Sequence, residues 1–171
     1  LARTRVEGAL REYPSSDALW LLKAELLDQQ GNLEGALTAR REALRLAPDR
    51  ADALNAVSWT LARLGRDLPE ADRYAERALE ALGRRPALLD TLALVRLAQG
   101  RHDAALALAD EGLAGAEKRD RVDLLFRRAE ALAGLGRSAD ATQALARAEQ
   151  EAAAQAPGWN TWSEAGQRVR R

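Results

Sequence analysis

Acid–base, nucleophilic and metal chemistry each need particular side chains, and this chain supplies them unevenly: His102 is the only histidine, there is no cysteine, and 26 aspartates and glutamates are scattered along 171 residues. A lone imidazole can act as a general base or a metal ligand. Zinc, however, takes three or four protein ligands, and His102 has no obvious companion beyond Asp103. Lying just after Gly100 at the opening of a helix, His102 reads as a solvated surface residue. Carboxylate pairs such as Glu25 and Asp28 could do general acid–base work. Among so many acids in an arginine-rich helical chain, they read instead as solvated or paired along a helix. There is no glycine-rich phosphate loop, no His-Glu-x-x-His helix, no nucleophile elbow and no cysteine cluster. The expectation is therefore no enzyme, no metal and no cofactor.

Charge and composition narrow the partners. Twenty-six basic residues balance the 26 acidic ones, so the basic field of a nucleic-acid binder is absent and no nucleic-acid partner is expected. Without cysteine there are no disulfides, but the compartment stays open. No run of 18 apolar residues occurs, so no transmembrane segment is expected in this chain. A content of 47% hydrophobic and 30% charged residues is that of a folding chain, and the dominance of alanine, leucine and arginine favours helices. With neither signal peptide nor initiating methionine, the sequence reads as a segment of a longer chain.

The helices that would carry any surface are legible in WLLKAELLDQQGNLEGALTARREALRLAPDR, residues 20 to 50, where a helical pattern is cut by a Gly-Asn pair and stopped by a proline. The cut recurs at Gly65, Gly100 and Gly136, giving separations of 34, 35 and 36 residues from Gly31 onward. Such a period signals a repeat architecture. Before each glycine runs a stripe with helical spacing: Trp20, Ala24, Leu27; Leu54, Ser58, Leu61; Leu89, Ala93, Arg96; and Leu125, Ala129, Leu132, with Arg96 discordant. After each glycine come small residues where two helices must approach: Ala36 and Ala43, Ala71 and Ala78, Ala105 and Gly112, Ala141 and Ala148. Each repeat is thus expected to be a helical hairpin whose apolar face is covered by its neighbours.

Trp20, Ala24, Leu27, Gly31, Ala36, Ala43 and Pro48 have the identities and spacing of the tetratricopeptide repeat, which this chain resembles over nearly its whole length. The resemblance implies an all-α, right-handed superhelical solenoid of helix–turn–helix repeats. Residues 1–16, with Ala2, Val6, Ala9 and Pro14, fit the second helix of a preceding repeat. Repeats then occupy 17–50, 51–85, 86–121 and 122–156, and 157–171 form a C-terminal capping helix, all in one continuous solenoid domain. The segments DALNAVSWTLARLGRDLPEADRYAERAL and LLDTLALVRLAQGRHDAALALADEGL resemble a bacterial variety with an Asn and an Asp at equivalent places, here Asn55 and Asp90. Departures are Gly83 and Glu117 where a proline is expected, and GAEKRDR (115 to 121), which lengthens one connection and implies local irregularity.

In the resembled family the first helices line a concave groove. Carried over, this gives Leu21, Glu25 and Asp28; Asn55, Trp59 and Ala62; Asp90, Leu94 and Leu97; and Phe126, Glu130 and Ala133, an apolar groove punctuated by acids. Asn55 and Asp90 either hydrogen-bond one another in the stacking or face a partner. Trp59 and Phe126 are either core or, if exposed, hot-spot anchors. Leu21 and Glu25 stand where a carboxylate-clamping member would have Lys and Asn, which disfavours that mode. At the C-terminal end, Trp159, Trp162, Gly166 and Val169 share one side of a helix that either caps the last repeat or, with Arg168, Arg170 and Arg171, docks on a partner or membrane surface. The implied function is a non-catalytic scaffold for a peptide, helix or protein surface, and apolar partners bearing Lys or Arg would suit its carboxylates. Assembly and export machinery of the Gram-negative envelope is the context the bacterial variety implies. The alternatives are a spacer or self-associating array that stacks on further repeats of the parent protein, or a regulatory arm of a larger enzyme.

Overall fold

The computed structural model describes residues 2–155, and among these it contains nine α-helices and no strand. They are α1 (Ala2–Glu12), α2 (Asp17–Gln29), α3 (Leu33–Leu46), α4 (Ala51–Leu64), α5 (Leu68–Leu82), α6 (Pro86–Ala98), α7 (His102–Leu113), α8 (Lys118–Gly134) and α9 (Ser138–Gln155). The expected terminal helix, with Trp159 and Trp162, lies outside the described residues.

One device turns the chain in each repeat. Gly31, Gly65, Gly100 and Gly136 all adopt φ between 64° and 74°, a left-handed conformation open to glycine without a side-chain clash. The amide after each glycine donates to the carbonyl five residues back: Asn32 to Leu27 at 2.9 Å, Arg66 to Leu61 at 3.1 Å, Arg101 to Arg96 at 2.8 Å and Arg137 to Leu132 at 2.9 Å. This Schellman closure satisfies carbonyls that a helix end otherwise leaves unpaired. The next helix can then start at once, as where Asn32 Oδ1 accepts from the Gly35 amide at 2.9 Å to cap α3. The connection marked as irregular is shorter than the sequence suggests. Lys118 takes a positive φ of 48° and α8 begins there, so that KRDR is helical, supported by an Arg119–Asp123 pair at 3.5 Å one turn apart.

The residues fall into two compact units, Leu1–Ala81 and Leu82–Arg171. In the first, Trp20 and Leu27 of α2 pack on buried Ala24, Ala36 and Ala39, and the Trp20 indole N–H donates to the Pro14 carbonyl at 2.9 Å, tying down the turn into α2. Leu54, Val57 and Leu61 of α4 are buried with Ala71, Ala75 and Ala78 of α5. Ser58, the polar member of its stripe, is fully buried because its hydroxyl donates to the Ala71 carbonyl at 2.7 Å. Arg50–Asp17 at 2.6 Å and Arg66–Glu34 at 2.9 Å link consecutive hairpins.

In the second unit, Val122, Leu125, Phe126, Ala129 and Leu132 of α8 form a core with Ala141, Leu145 and Ala148 of α9. Gly112 of α7 sits at a close approach: a β-carbon there would lie 2.7 Å from Leu124 Cδ1. Arg96 is buried despite its charge and donates to Gln99 Oε1 at 3.2 Å. Burying one leucine in either core contributes roughly 1.5–3 kcal/mol, so a few such residues per hairpin outweigh any surface ion pair.

Candidate protein-binding surface

In the first unit the face expected to receive a partner is carried by α2 and α4. Trp59 is half-buried, with the Arg63 guanidinium 4.8 Å and the Arg40 guanidinium 5.6 Å from its ring centroid. Arg63 lies one turn along α4, where helical periodicity places it over the ring. Arg40 comes from α3, is buried, and is held by Thr60 Oγ1 at 2.5 Å and by the Asp28 carboxylate, Oδ1 at 3.2 Å. The indole is thus fixed between two cations, an arrangement worth about 0.5–1 kcal/mol for an exposed pair and more when desolvated. One turn earlier on the same face stands half-buried Asn55, whose Oδ1 is shielded from solvent and has no hydrogen-bond partner among the described residues. On α2, Leu21 is half-buried, Leu22 exposed, and Glu25 exposed without an ion pair among the described residues.

The second unit treats the same positions differently. Asp90 of α6 is 8% exposed and Glu130 of α8 is 9% exposed. Both are bound by Arg127, whose Nε lies 2.9 Å from Asp90 Oδ1 and whose Nη1 lies 2.8 Å from Glu130 Oε2. Burial pushes the Asp90 carboxyl up to about 6, Arg127 pulling against this while Asp123 and Glu130 add to the rise. Burial alone would lower Arg127, but Asp90 and Glu130 more than offset it and hold the guanidinium above its ordinary value. Leu94 is 7% exposed and Phe126 2%, the latter inside the core formed with α9. Leu97 alone of the expected positions on α6 keeps half its surface character, being half-buried.

These positions correct the groove read from the sequence. Phe126 and Leu94 are core residues, because the apolar stripe of α6 and α8 is wide enough to take them inside. Three of the four acids are already engaged: Asp28 by Arg40, and Asp90 and Glu130 by Arg127. Glu25 is the acid left in the open. Asp90 has Arg127 as its partner, and Asn55 Oδ1 has none, in place of the bond expected between the two. Arg127 itself was missed, although the i, i+3 spacing to Glu130 was a signal for it. His102 is also corrected. It is half-buried, its Nδ1 is shielded and unpartnered among the described residues, and a β-carbon on Gly134 would lie 2.3 Å from that atom, so the ring rests on the α8 backbone. Among the described residues no group of three His, Cys, Asp or Glu is placed to hold a metal, and no helix is long and apolar enough to cross a membrane.

No family model matches the sequence. No curated protein matches it either. Solved structures do. PilW, a widely conserved type IV pilus biogenesis factor, aligns with a TM-score of 0.74 at 22% identity over 96% of this chain and 73% of its own. A tetratricopeptide repeat protein from Parabacteroides merdae aligns at 0.75 with 14% identity over 99% and 77%. The thermophilic repeat protein TTC0263 of Thermus thermophilus aligns at 0.72 with 22% identity over 98% and 88%. At such identities the likeness speaks for the fold, and it agrees with the glycine-closed hairpins: this chain has the tetratricopeptide-repeat fold, an all-α helical-repeat solenoid.

Proposed function

We propose that the chain is a non-catalytic scaffold that holds a peptide, helix or protein surface against the first helices of its repeats, with the contact centred on Trp59 in the first unit. The observation that carries this reading is the half-buried Trp59 indole braced by Arg40 and Arg63, on a face whose expected members on α2 and α4 include half-buried Leu21 and Asn55 and exposed Glu25. A rigid aromatic that keeps accessible surface costs little entropy on binding and is the residue type that dominates interface energies. The engaged state of Asp28, Asp90 and Glu130 shifts the partner's chemistry: it need bring an apolar side chain to the indole and at most one cation to Glu25. A place in a bacterial envelope assembly or export system is part of the proposal. It rests on the resembled repeat variety and on the fold likeness to PilW, a pilus biogenesis factor; a peptide-binding mode is supported by the likeness to YrrB, described as having an unusual peptide-binding site.

The test is to select peptides from a random library on the immobilised chain and to map the tightest by hydrogen exchange. Protection concentrated in α2 and α4 is the expected result. Protection confined to the second helices, α3 and α5, would refute the assigned face.

A further inference from the structure

A second surface, sharing no residue with the one just described, lies within the second unit. A cleft of about 380 Å³ opens between α7, α8 and α9. Its floor is apolar, made by Leu113, Leu125 and Ala144, and its rim carries three guanidiniums, Arg121, Arg128 and Arg147, with no carboxylate among the described lining residues. Helical spacing explains the arrangement: Arg121, Leu125 and Arg128 fall on one side of α8, while Ala144 and Arg147 fall on one side of α9. Among the described residues, two acids behind the rim pair with the three cations. Glu151 is shared by Arg121 at 2.9 Å and Arg147 at 3.2 Å, and Asp110 takes Arg128 at 2.7 Å. The side chains of Arg128 and Arg147 remain 35% and 59% exposed, so each has donors to offer outward.

From this charge excess over an apolar floor, we propose that the cleft binds a short acidic peptide segment, one carboxylate lodging among the three guanidiniums and a neighbouring aliphatic side chain covering Leu113, Leu125 and Ala144. The guanidinium fork matches a carboxylate in two-point hydrogen bonding, and three forks converging on one opening give direction as well as charge. The cleft's volume is near the lower end of ligand pockets, about 300 Å³ and upward, which suits one or two residues and leaves the floor uncovered by a bare inorganic anion. A nucleic-acid strand fits poorly, since among the described residues no aromatic side chain lines the cleft to stack a base.

The experiment titrates the whole chain into a fluorescein-labelled tetrapeptide of alternating glutamate and leucine and follows anisotropy. Saturable binding is expected. Arg147→Glu, and separately the milder Arg147→Gln, should weaken it by about tenfold or more and by several-fold respectively, with the circular dichroism spectrum unchanged. Arg45→Glu, a reversal at an exposed position of α3, should leave it within twofold, and changing the probe's leucines to serine should weaken binding comparably to Arg147→Gln. The proposal is overturned if the wild-type chain shows no saturation at millimolar peptide, if Arg147→Glu binds like wild type, or if Arg45→Glu weakens binding as much as Arg147→Glu does. If glutarate competes as well as the peptide, the floor contributes nothing and the peptide assignment falls.

Discussion

Asn55 and Trp59 in the first unit, and Phe126 and Glu130 in the second, occupy matching places in their repeats, yet the first pair keeps surface and the second pair is buried. Two local causes separate them. In the first unit one arginine, Arg40, serves one acid, Asp28, and its far side lies over the Trp59 ring, which leaves the indole braced but uncovered. In the second unit Arg127 gathers two acids, Asp90 and Glu130, while Phe126 is packed inside the core formed with α9. Repeat register therefore decides which residues share a face, while what packs across from them decides whether that face stays open.

If this contrast is right, the largest loss should come from truncating the closed side. Phe126→Ala is expected to cost about 3–5 kcal/mol of unfolding free energy in a denaturant titration, as for a large side chain removed from a packed core. A loss below about 1 kcal/mol would mean that the second unit is as open as the first. Arg127→Met should cost a similar or slightly smaller amount, about 3 kcal/mol, because it leaves Asp90 and Glu130 buried without their shared cation. The comparison is sharpened by repeating both in an Asp90→Asn background, where the Arg127→Met penalty should shrink.

Smaller effects test the packing around Gly112 and Gly134, two glycines of the second unit. Alanine normally stabilises a helix interior over glycine by about 1 kcal/mol. At Gly134 the new β-carbon would meet the His102 ring at 2.3 Å, close to its attachment point, so Gly134→Ala should instead destabilise by about 1–3 kcal/mol. Gly112→Ala meets the ends of the Leu124 side chain at 2.7 Å, which can swing, and should cost less. Equal or inverted melting shifts for the two would remove His102 from the packing account.

pH should act in opposite directions on Asp90 of the second unit and on the Arg50-bound acids of the first. Asp90 has its folded value raised, so its stabilising contribution is complete below the unfolded value near 4 and is lost as pH climbs through about 6. In the first unit the side-chain hydrogen bonds of Arg50 lower Asp17 and Asp52, so their contribution is present above the ordinary carboxylate range and fades as pH falls through it. Because the latter pair is exposed, its effect is small. Between pH 4 and 6, wild type should lose melting temperature relative to Asp90→Asn; parallel curves would show that Asp90 is not buried in its charged form.

How much of this was legible beforehand follows from the same physics. Trp20, Ala24 and Leu27 with Gly31, and their counterparts down the chain, announced the hairpins because glycine at a helix end and small residues at a helix crossing are demanded by sterics. The surface was harder to read. Phe126 and Leu94 differ from Trp59 by no periodicity, only by what lies across from them, and Arg127 becomes decisive only once α6 and α8 stand side by side. The arginine cleft escaped the sequence reading because its lining comes from three helices and is spread over residues 113 to 147. His102 read as solvated because the residue that receives its ring, Gly134, has no side chain to advertise the contact.

The most direct test of the central claim compares the open face with its counterpart in one binding measurement. Peptides selected on an Arg147→Glu chain, so that the arginine cleft plays no part, are titrated against that chain and against the same chain carrying Trp59→Ala or Leu97→Ala. Trp59→Ala is expected to weaken binding by about 2 kcal/mol or more, roughly 30-fold, at a stability cost of no more than about 1 kcal/mol, while Leu97→Ala changes affinity less than threefold. Binding kept within twofold by Trp59→Ala and abolished by Leu97→Ala would place the working surface in the second unit and contradict the account.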